Sequence, residues 1–302
     1  MLTTLDIQQD SQRFLDDFYP RDEPVLFRNA ARAPGSAADI CSLLNERIAA
    51  DDRKAERIMW YDVREQLLDE ICGTPELIST VMNPADAFLR ENCVRIWFNP
   101  QGHISPWHYD GHSLHVFNLQ LKGRKHWSIV SPETPLACMP FNNTCLLNRY
   151  SMRNRRHYEF TLEEGDMIFL PRYWYHLVKS EHAMNVNVNW VLMSKQKPVD
   201  SKIARREAEL MWIKETFYSV MPPKSRWLVD NYAGGGLEAV QTLTESISAA
   251  AGFSRLAKEV AMMPAFMLLL PVQLRKVITL RRSKRVMRKM IAAEGQKPSE
   301  AA

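Results

Sequence analysis

The spacing of hydrophobic and polar positions changes twice along the chain. Up to about residue 90 the pattern is mixed. Pro24–Phe27 and Ile58–Val63 read as short strands. Ala37–Ala50, with apolar residues at Ile40, Leu43, Leu44 and Ile48, reads as a helix, and Glu65–Cys72 and Glu76–Met82 as shorter ones. From Val94 to Leu192 the chain becomes a series of short β-rich runs punctuated by Gly, Pro and Asn: Val94–Phe98, Val116–Leu121, His126–Val130, Tyr158–Thr161, Asp166–Leu170, Leu177–Lys179 and Asn185–Leu192. So many strands in so short a stretch, with no helices between them, predict a sandwich or barrel rather than a parallel βαβ sheet. The last run alternates: Asn185, Asn187 and Asn189 fall on one face, Met184, Val186, Val188 and Trp190 on the other. Amides without partners are costly in an apolar core, so the asparagine face is expected to line a polar pocket inside a barrel.

Beyond Pro198 the β pattern stops. Ser201–Tyr218, Leu237–Ala251, Ser254–Met263 and Pro271–Ile291 read as helices, with Asn231–Gly236 as a breaker. The expected organisation is therefore a β domain over 1–197 and a helical C-terminal extension over 198–302. Charge is divided along the same line. The formal net charge is +4, but 275–302 holds nine Lys/Arg against two Glu, a balance of +7, which leaves −3 for the remainder. Arg275–Lys289 carries eight basic residues and no acid, interleaved with Val277, Ile278, Leu280, Val286 and Met287. Such a helix is suited to an anionic surface. A homodimer through the C-terminal helices is the preferred expectation; nucleic acid is not expected as a partner.

Cysteine and hydropathy narrow the setting. The five cysteines are odd in number and irregularly spaced, with no CxxC pair, so free thiols in a reducing compartment are expected. The N-terminus lacks the basic and apolar regions of a signal peptide. The most apolar stretch, Val260–Val272, is short for a membrane span and is interrupted by Pro264 and Pro271. A cytoplasmic location is the expectation that follows.

Of the eight histidines, His103, His108, His112 and His115 crowd into thirteen residues. His108-Tyr109-Asp110 has the spacing H-x-D, which on a strand turns one nitrogen and one carboxylate to the same side. His176, at the end of the segment Gly165–His176, is the best third ligand. Two His and one carboxylate on one face of an ion leave the other face open, the geometry of non-haem iron(II) oxygenases. The H-x-D alone is weak evidence; its context strengthens it.

That context resembles the cupin-like JmjC family of oxygenases, which includes asparaginyl hydroxylases. Arg21–Ala30 is similar to the family's N-terminal strand, with Asn29 where Gly is usual. Ser105-Pro106-Trp107-His108-Tyr109-Asp110 resembles the S/T-x-x-H-x-D metal strand, and Leu119–Trp127 the Q-x-x-G-x-K-x-W strand. Glu164–His176 resembles the G-D and P-x-x-W-x-H pattern, and Asn187-Val188-Asn189-Trp190 the closing V-N-x-W strand. The resemblance covers roughly residues 20 to 195.

The resemblance implies a mainly β fold: a double-stranded β-helix (cupin or jelly-roll) barrel with flanking helices. It implies iron(II) on His108, Asp110 and His176, and 2-oxoglutarate as cosubstrate. Lys125 then pairs with the distal carboxylate, assisted by Ser105, with Asn189 near the metal and Tyr61 supplying a phenol. A fixed cation suits a dianion. Between Asp110 and Lys125 this chain is slightly longer than the family pattern, so the usual cosubstrate-side asparagine falls at His115 or Val116. The implied reaction is hydroxylation of an aliphatic carbon in a protein side chain or small metabolite. Asp110 argues against a halogenase, which would need that position vacated for halide. The rival reading is a non-catalytic cupin that binds a ligand or partner. Arg149, Arg153, Arg155 and Arg156, in the loop expected over the barrel mouth, are candidate contacts for an acidic substrate.

Overall fold

The computed structural model describes residues 1–31, 40, 42, 60–62, 71–81, 94–110, 114–132, 152, 155–193, 274, 278, 281–290 and 292–293. The helices expected over 201–218, 237–251 and 254–263, most of those over 37–50 and 65–72, and most of the 142–158 loop lie outside these residues, as do His112, Arg149 and Arg153.

Eleven strands form two sheets among the described residues. They are β1 (Thr3–Leu5), β2 (Val25–Phe27), β3 (Trp60–Asp62), β4 (Val94–Pro100), β5 (Ile104–His108), β6 (Leu114–Lys122), β7 (Lys125–Val130), β8 (His157–Leu162), β9 (Met167–Leu170), β10 (Tyr175–Ser180) and β11 (Met184–Met193). The larger sheet has the order β1-β2-β9-β6-β11-β4-β3 and the smaller β5-β10-β7-β8. All pairings are antiparallel except β1 with β2. This is a jelly-roll barrel: each sheet mixes strands distant in sequence, and the two close over a common interior.

Period-two alternation decides what each face of the larger sheet meets. Phe117 and Leu119 of β6, Phe169 of β9, and Val186, Val188 and Trp190 of β11 point outward into the main core. There Phe14, Phe27, Leu77, Ile78 and Val81 cover them. The last three belong to the helix Glu76–Val81, which the sequence predicts. The opposite faces point inward, where Val116, Trp127, Ile129, Ile168, Leu170, Trp174 and Val178 fill half of the space between the sheets. The other half is polar and contains the site.

Two strands are not among the predicted runs. β1 is too short and polar to register as one. β5 contains Pro106, which has no N–H to give a ladder, and it survives as an edge strand. β5 also carries a register shift: His108 opposes His176, but Ser105 opposes Val178. An odd spacing would place Ser105 and His108 on opposite faces of a regular strand. The extra residue sets both against inward-facing neighbours.

Polar side chains fix the connections. Gly165 turns at φ 89, and the following Asp166 accepts from Arg28 Nη1, from Asn29 N (3.3 Å) and from Glu163 N (3.0 Å). Asn29, where the family pattern has Gly, sits at φ 50. Asn is the side chain that best tolerates this region. At the other end of the chain, residues 281–290 are helical and turn Ser283 and Met287 onto the barrel, with Met287 fully buried in the main core. No helix among the described residues is long and apolar enough to cross a membrane.

Candidate metal centre

β5 and β10 bring the three expected ligands together. His108 and His176 are directly opposed across the pair, with ring centroids 4.1 Å apart. Asp110 follows the end of β5, and its Oδ2 lies 3.8 Å from His176 Nε2. One ligand atom from each of His108, Asp110 and His176 lies within 4.8 Å of the others, so the three could hold a metal ion. Tyr109 points the opposite way, buried against Tyr173 and Tyr175. Packing of the middle residue thus holds the two ligands of the H-x-D on the pocket side.

Both imidazoles are oriented alike. His108 Nδ1–H donates to Pro106 O (2.6 Å) and His176 Nδ1–H to Trp174 O (3.2 Å). Each bond leaves the Nε2 lone pair for an ion, the usual way that outer partners fix a ligating tautomer. Trp127 stacks on His176 at 5.8 Å. His176 is buried, whereas the Asp110 side chain is 36% exposed, so the centre opens to solvent on the carboxylate side.

The turn that delivers His176 is anchored by a cluster that sequence spacing does not reveal. Arg172 and Asp22 form a buried ion pair (Nε to Oδ2, 2.9 Å), and Trp174 Nε1 donates to Asp22 O (3.0 Å). The Arg172 backbone N–H donates to His115 Nδ1 (3.2 Å). Burial, then the Arg172 charge, pushes His115 down to about 3, so it stays neutral and can accept this bond. His115 is therefore a support beneath the 171–174 turn. It packs against Tyr19 and Phe169 on the outer side of β6, and Val116 lies in the apolar interior. Neither is the amide that the family pattern places beside the cosubstrate.

An inward-facing amide on β6 is Asn118. Its Nδ2 donates to Asn189 Oδ1, which also accepts from Asn187 Nδ2 (2.9 Å). Asn187 Oδ1 in turn accepts from Lys125 Nζ, which donates as well to Asn99 Oδ1 (2.7 Å). A continuous amide row thus runs along the barrel interior from Asn118 to Lys125. Asn118 and Asn99 are the residues sequence reasoning missed. The inward parity of Asn118 with Gln120 on β6 was the signal available. Asn185, on the same face, is used elsewhere: its Oδ1 accepts from Arg124 N (3.1 Å) and its Nδ2 donates to Asn99 O (3.1 Å).

Lys125 is buried, and burial lowers it to about 7. No carboxylate pairs with it among the described residues. A buried ammonium held, among the described residues, by amide oxygens fits a carboxylate-bearing ligand that would complete its charge. Ser105 lies on β5 opposite Val178, half-buried. Tyr61 lies on β3 with its backbone opposite Ile96, and its side chain is outside the described residues. Arg156 is engaged with Glu23 and with the face of Trp174 (5.4 Å). Trp174 and Trp190 are packing residues, and Trp107 packs against the tyrosine cluster.

Comparison with known proteins points the same way. Residues 78–197 match the family model described as JmjC domain. HSPB1-associated protein 1 of Bos taurus is 27% identical over 128 residues, covering 36% of this chain and 26% of the relative. The bifunctional lysine-specific demethylase and histidyl-hydroxylase NO66 of Caenorhabditis elegans is 30% identical over 86 residues, 27% of this chain and 11% of that one. Ribosomal oxygenase 2 of Bos taurus is 39% identical over 72 residues, 22% of this chain and 13% of that one. The chain thus spans about a quarter or less of the length of these relatives.

Proposed function

We propose, from the match of residues 78–197 to the JmjC domain model, that this chain is a cupin-like JmjC oxygenase: an iron(II)- and 2-oxoglutarate-dependent dioxygenase that hydroxylates an aliphatic carbon of a protein side chain or small metabolite. The observation that carries the reading is the pairing of two sites in one barrel: a two-His, one-carboxylate group, and a buried lysine without a carboxylate partner among the described residues.

His108, Asp110 and His176 would hold iron on one face, leaving the opposite face for cosubstrate and dioxygen. When bound, iron(II) would supply the activation of dioxygen, the oxidant: 2-oxoglutarate gives up two electrons and leaves as succinate and carbon dioxide, with one oxygen atom entering succinate and the other the substrate C–H bond. The chain contributes position and electrostatics. Lys125 Nζ binds the distal carboxylate. Asn187 and Asn99 orient the ammonium, and Asn118 and Asn189 continue the amide row along the barrel interior. Ser105 offers a hydroxyl from the bulged strand on the same side as His108. Trp127, stacked on His176, and the apolar half of the interior shield one side of the centre from water.

The relative named as a histidyl-hydroxylase makes a protein side chain a reasonable substrate class. Binding tests the reading before turnover. Under anaerobic conditions the chain should bind one iron(II), and 2-oxoglutarate added to that complex should give the visible charge-transfer band of a chelated 2-oxo acid. An iron-loaded chain that gives no such band, and binds no 2-oxoglutarate by calorimetry, favours the non-catalytic cupin instead.

A further inference from the structure

The deep end of the barrel, away from the metal ligands, is closed by a part of the chain that lies far away in sequence. The turn after β4 brings His103 next to the end of β10. Gly102 N donates to Ser180 O (2.9 Å) and Ser180 N to His103 O (2.9 Å). Ser180 in turn opposes Lys125 across the β10–β7 pair. His103 therefore lies across β10 from Lys125, with Ser180 between them. Asn99, at the start of the same turn, accepts from Lys125 Nζ at 2.7 Å. Burial and the Lys125 charge hold His103 down at about 4, so the ring is neutral near physiological pH.

On its far side, His103 Nδ1 meets Ser283 Oγ at 3.3 Å. Ser283 and Met287 are one turn apart on the inner face of the 281–290 helix. They are 7% and 0% exposed, and Met290 continues the contact with the core. Arg281, Arg282, Arg285 and Lys289 face solvent. The helix thus buries one apolar stripe with a single hydroxyl in it, and that hydroxyl is spent on His103. A loose tail would not be expected to bury a serine beside an imidazole in this way.

We propose that the 281–290 helix is a wall of the 2-oxoglutarate pocket, with Ser283 and His103 as positioning residues that act through Lys125. This rests on the function proposed above. The Ser283 hydroxyl holds the His103 ring in one orientation. The ring, with Asn99, keeps water from the lysine ammonium, so that its charge remains undissipated for a carboxylate. If the ring swings away, water solvates Nζ and the anchor for the distal carboxylate weakens. The metal ligands should not be affected, since His176 lies at the other end of β10, four residues from Ser180.

The test uses the full chain with manganese(II) as an unreactive stand-in for iron, and measures metal and 2-oxoglutarate affinities by calorimetry between pH 6 and 9. Ser283→Ala should weaken 2-oxoglutarate binding by roughly three- to tenfold, the effect of losing one neutral hydrogen bond, with manganese affinity unchanged. Ser283→Thr, which keeps the hydroxyl, should recover most of the loss. In Ser283→Ala the decline of 2-oxoglutarate affinity with rising pH should also begin at higher pH, because a solvated Lys125 holds its proton longer. Equal 2-oxoglutarate affinities and pH profiles in the unmutated chain and Ser283→Ala would overturn this inference alone. Parallel loss of metal and 2-oxoglutarate in Ser283→Ala would also overturn it, by showing a role in overall folding. An unmutated chain that binds manganese but no 2-oxoglutarate would overturn the proposed function as well.

Discussion

At the residue scale, the account depends on two charges being placed for different reasons. Asp110 supplies the only carboxylate of the candidate triad. Asp110→Ala should weaken metal binding by more than about a hundredfold, beyond what loss of an outer partner costs, with the fold intact by circular dichroism. Metal affinity within tenfold of the unmutated chain would remove Asp110 from the ligand set. Lys125 makes a pH prediction. Its folded value is lowered by burial from 10.5 to about 7, so above about pH 7 the folded, ligand-free chain releases a proton that the unfolded chain keeps until about 10.5. The unfolded state then binds more protons, and stability should rise with pH across this window, with a slope of at most about 1.4 kcal/mol per pH unit from this group. A dicarboxylate favours the charged form, so 2-oxoglutarate binding should take up a proton near pH 8 and weaken as pH rises. Lys125→Met should abolish both effects. Denaturation and binding curves whose pH dependence is unchanged in Lys125→Met would contradict this placement.

Much of the residue-level pattern was legible because strands have a period of two. His108, Asp110 and the Asn185–Asn189 face follow from counting alone. What counting could not reveal depends on a bulge or a long-range contact. Ser105 shares a side with His108 only through the register shift in β5. Asn118 meets Asn189 because β6 neighbours β11. Asn99 reaches Lys125 from a strand in the other sheet.

At the element scale, the connections are more constrained than the strands. Gly123 turns at φ 75 between β6 and β7, and a Cβ there would lie 2.5 Å from Met184 O and 2.9 Å from Asn185 Oδ1. Gly123→Ala should therefore cost more than about 1 kcal/mol in urea denaturation, from both strain and collision. A neutral result would mean that this turn is not packed as described. The 171–174 turn makes the second prediction. The Arg172 side chain is 1% exposed and Asp22 12%. Asp22→Asn keeps the shape and the tolerance for φ 53 but removes the carboxylate charge from the buried Arg172–Asp22 pair. Stability should fall by about 3–5 kcal/mol, and metal affinity with it, since the turn delivers His176. The sequence does not announce this pair because its partners are 150 residues apart. The strand runs were legible; β5 was legible only as a metal motif, because its proline argues against a strand until the sheet order shows it at an edge.

At the scale of the whole molecule, the balance of +7 sets 275–302 apart by charge. Within that stretch the helix at 281–290 gives Met287 to the barrel core and turns its arginines outward. Hydrophobic pattern alone could not show which stripe of a helix with so few apolar residues is buried. Leu274 and Ile278, 60% and 57% exposed, remain on the surface. We keep as proposals a dimer through the C-terminal helices and contact of the basic face with an anionic surface. Sedimentation at several concentrations tests the first, and salt-dependent flotation with anionic vesicles the second.

The central claim concerns a reaction, and the most direct measurement is succinate formation. Iron(II) and 2-oxoglutarate would be added anaerobically to the purified chain, air admitted, and succinate quantified beside His108→Ala. The account predicts slow succinate release from the unmutated chain, even without its substrate, and none above background from the variant. Equal succinate from both proteins, or none from a chain shown to hold iron, would contradict it.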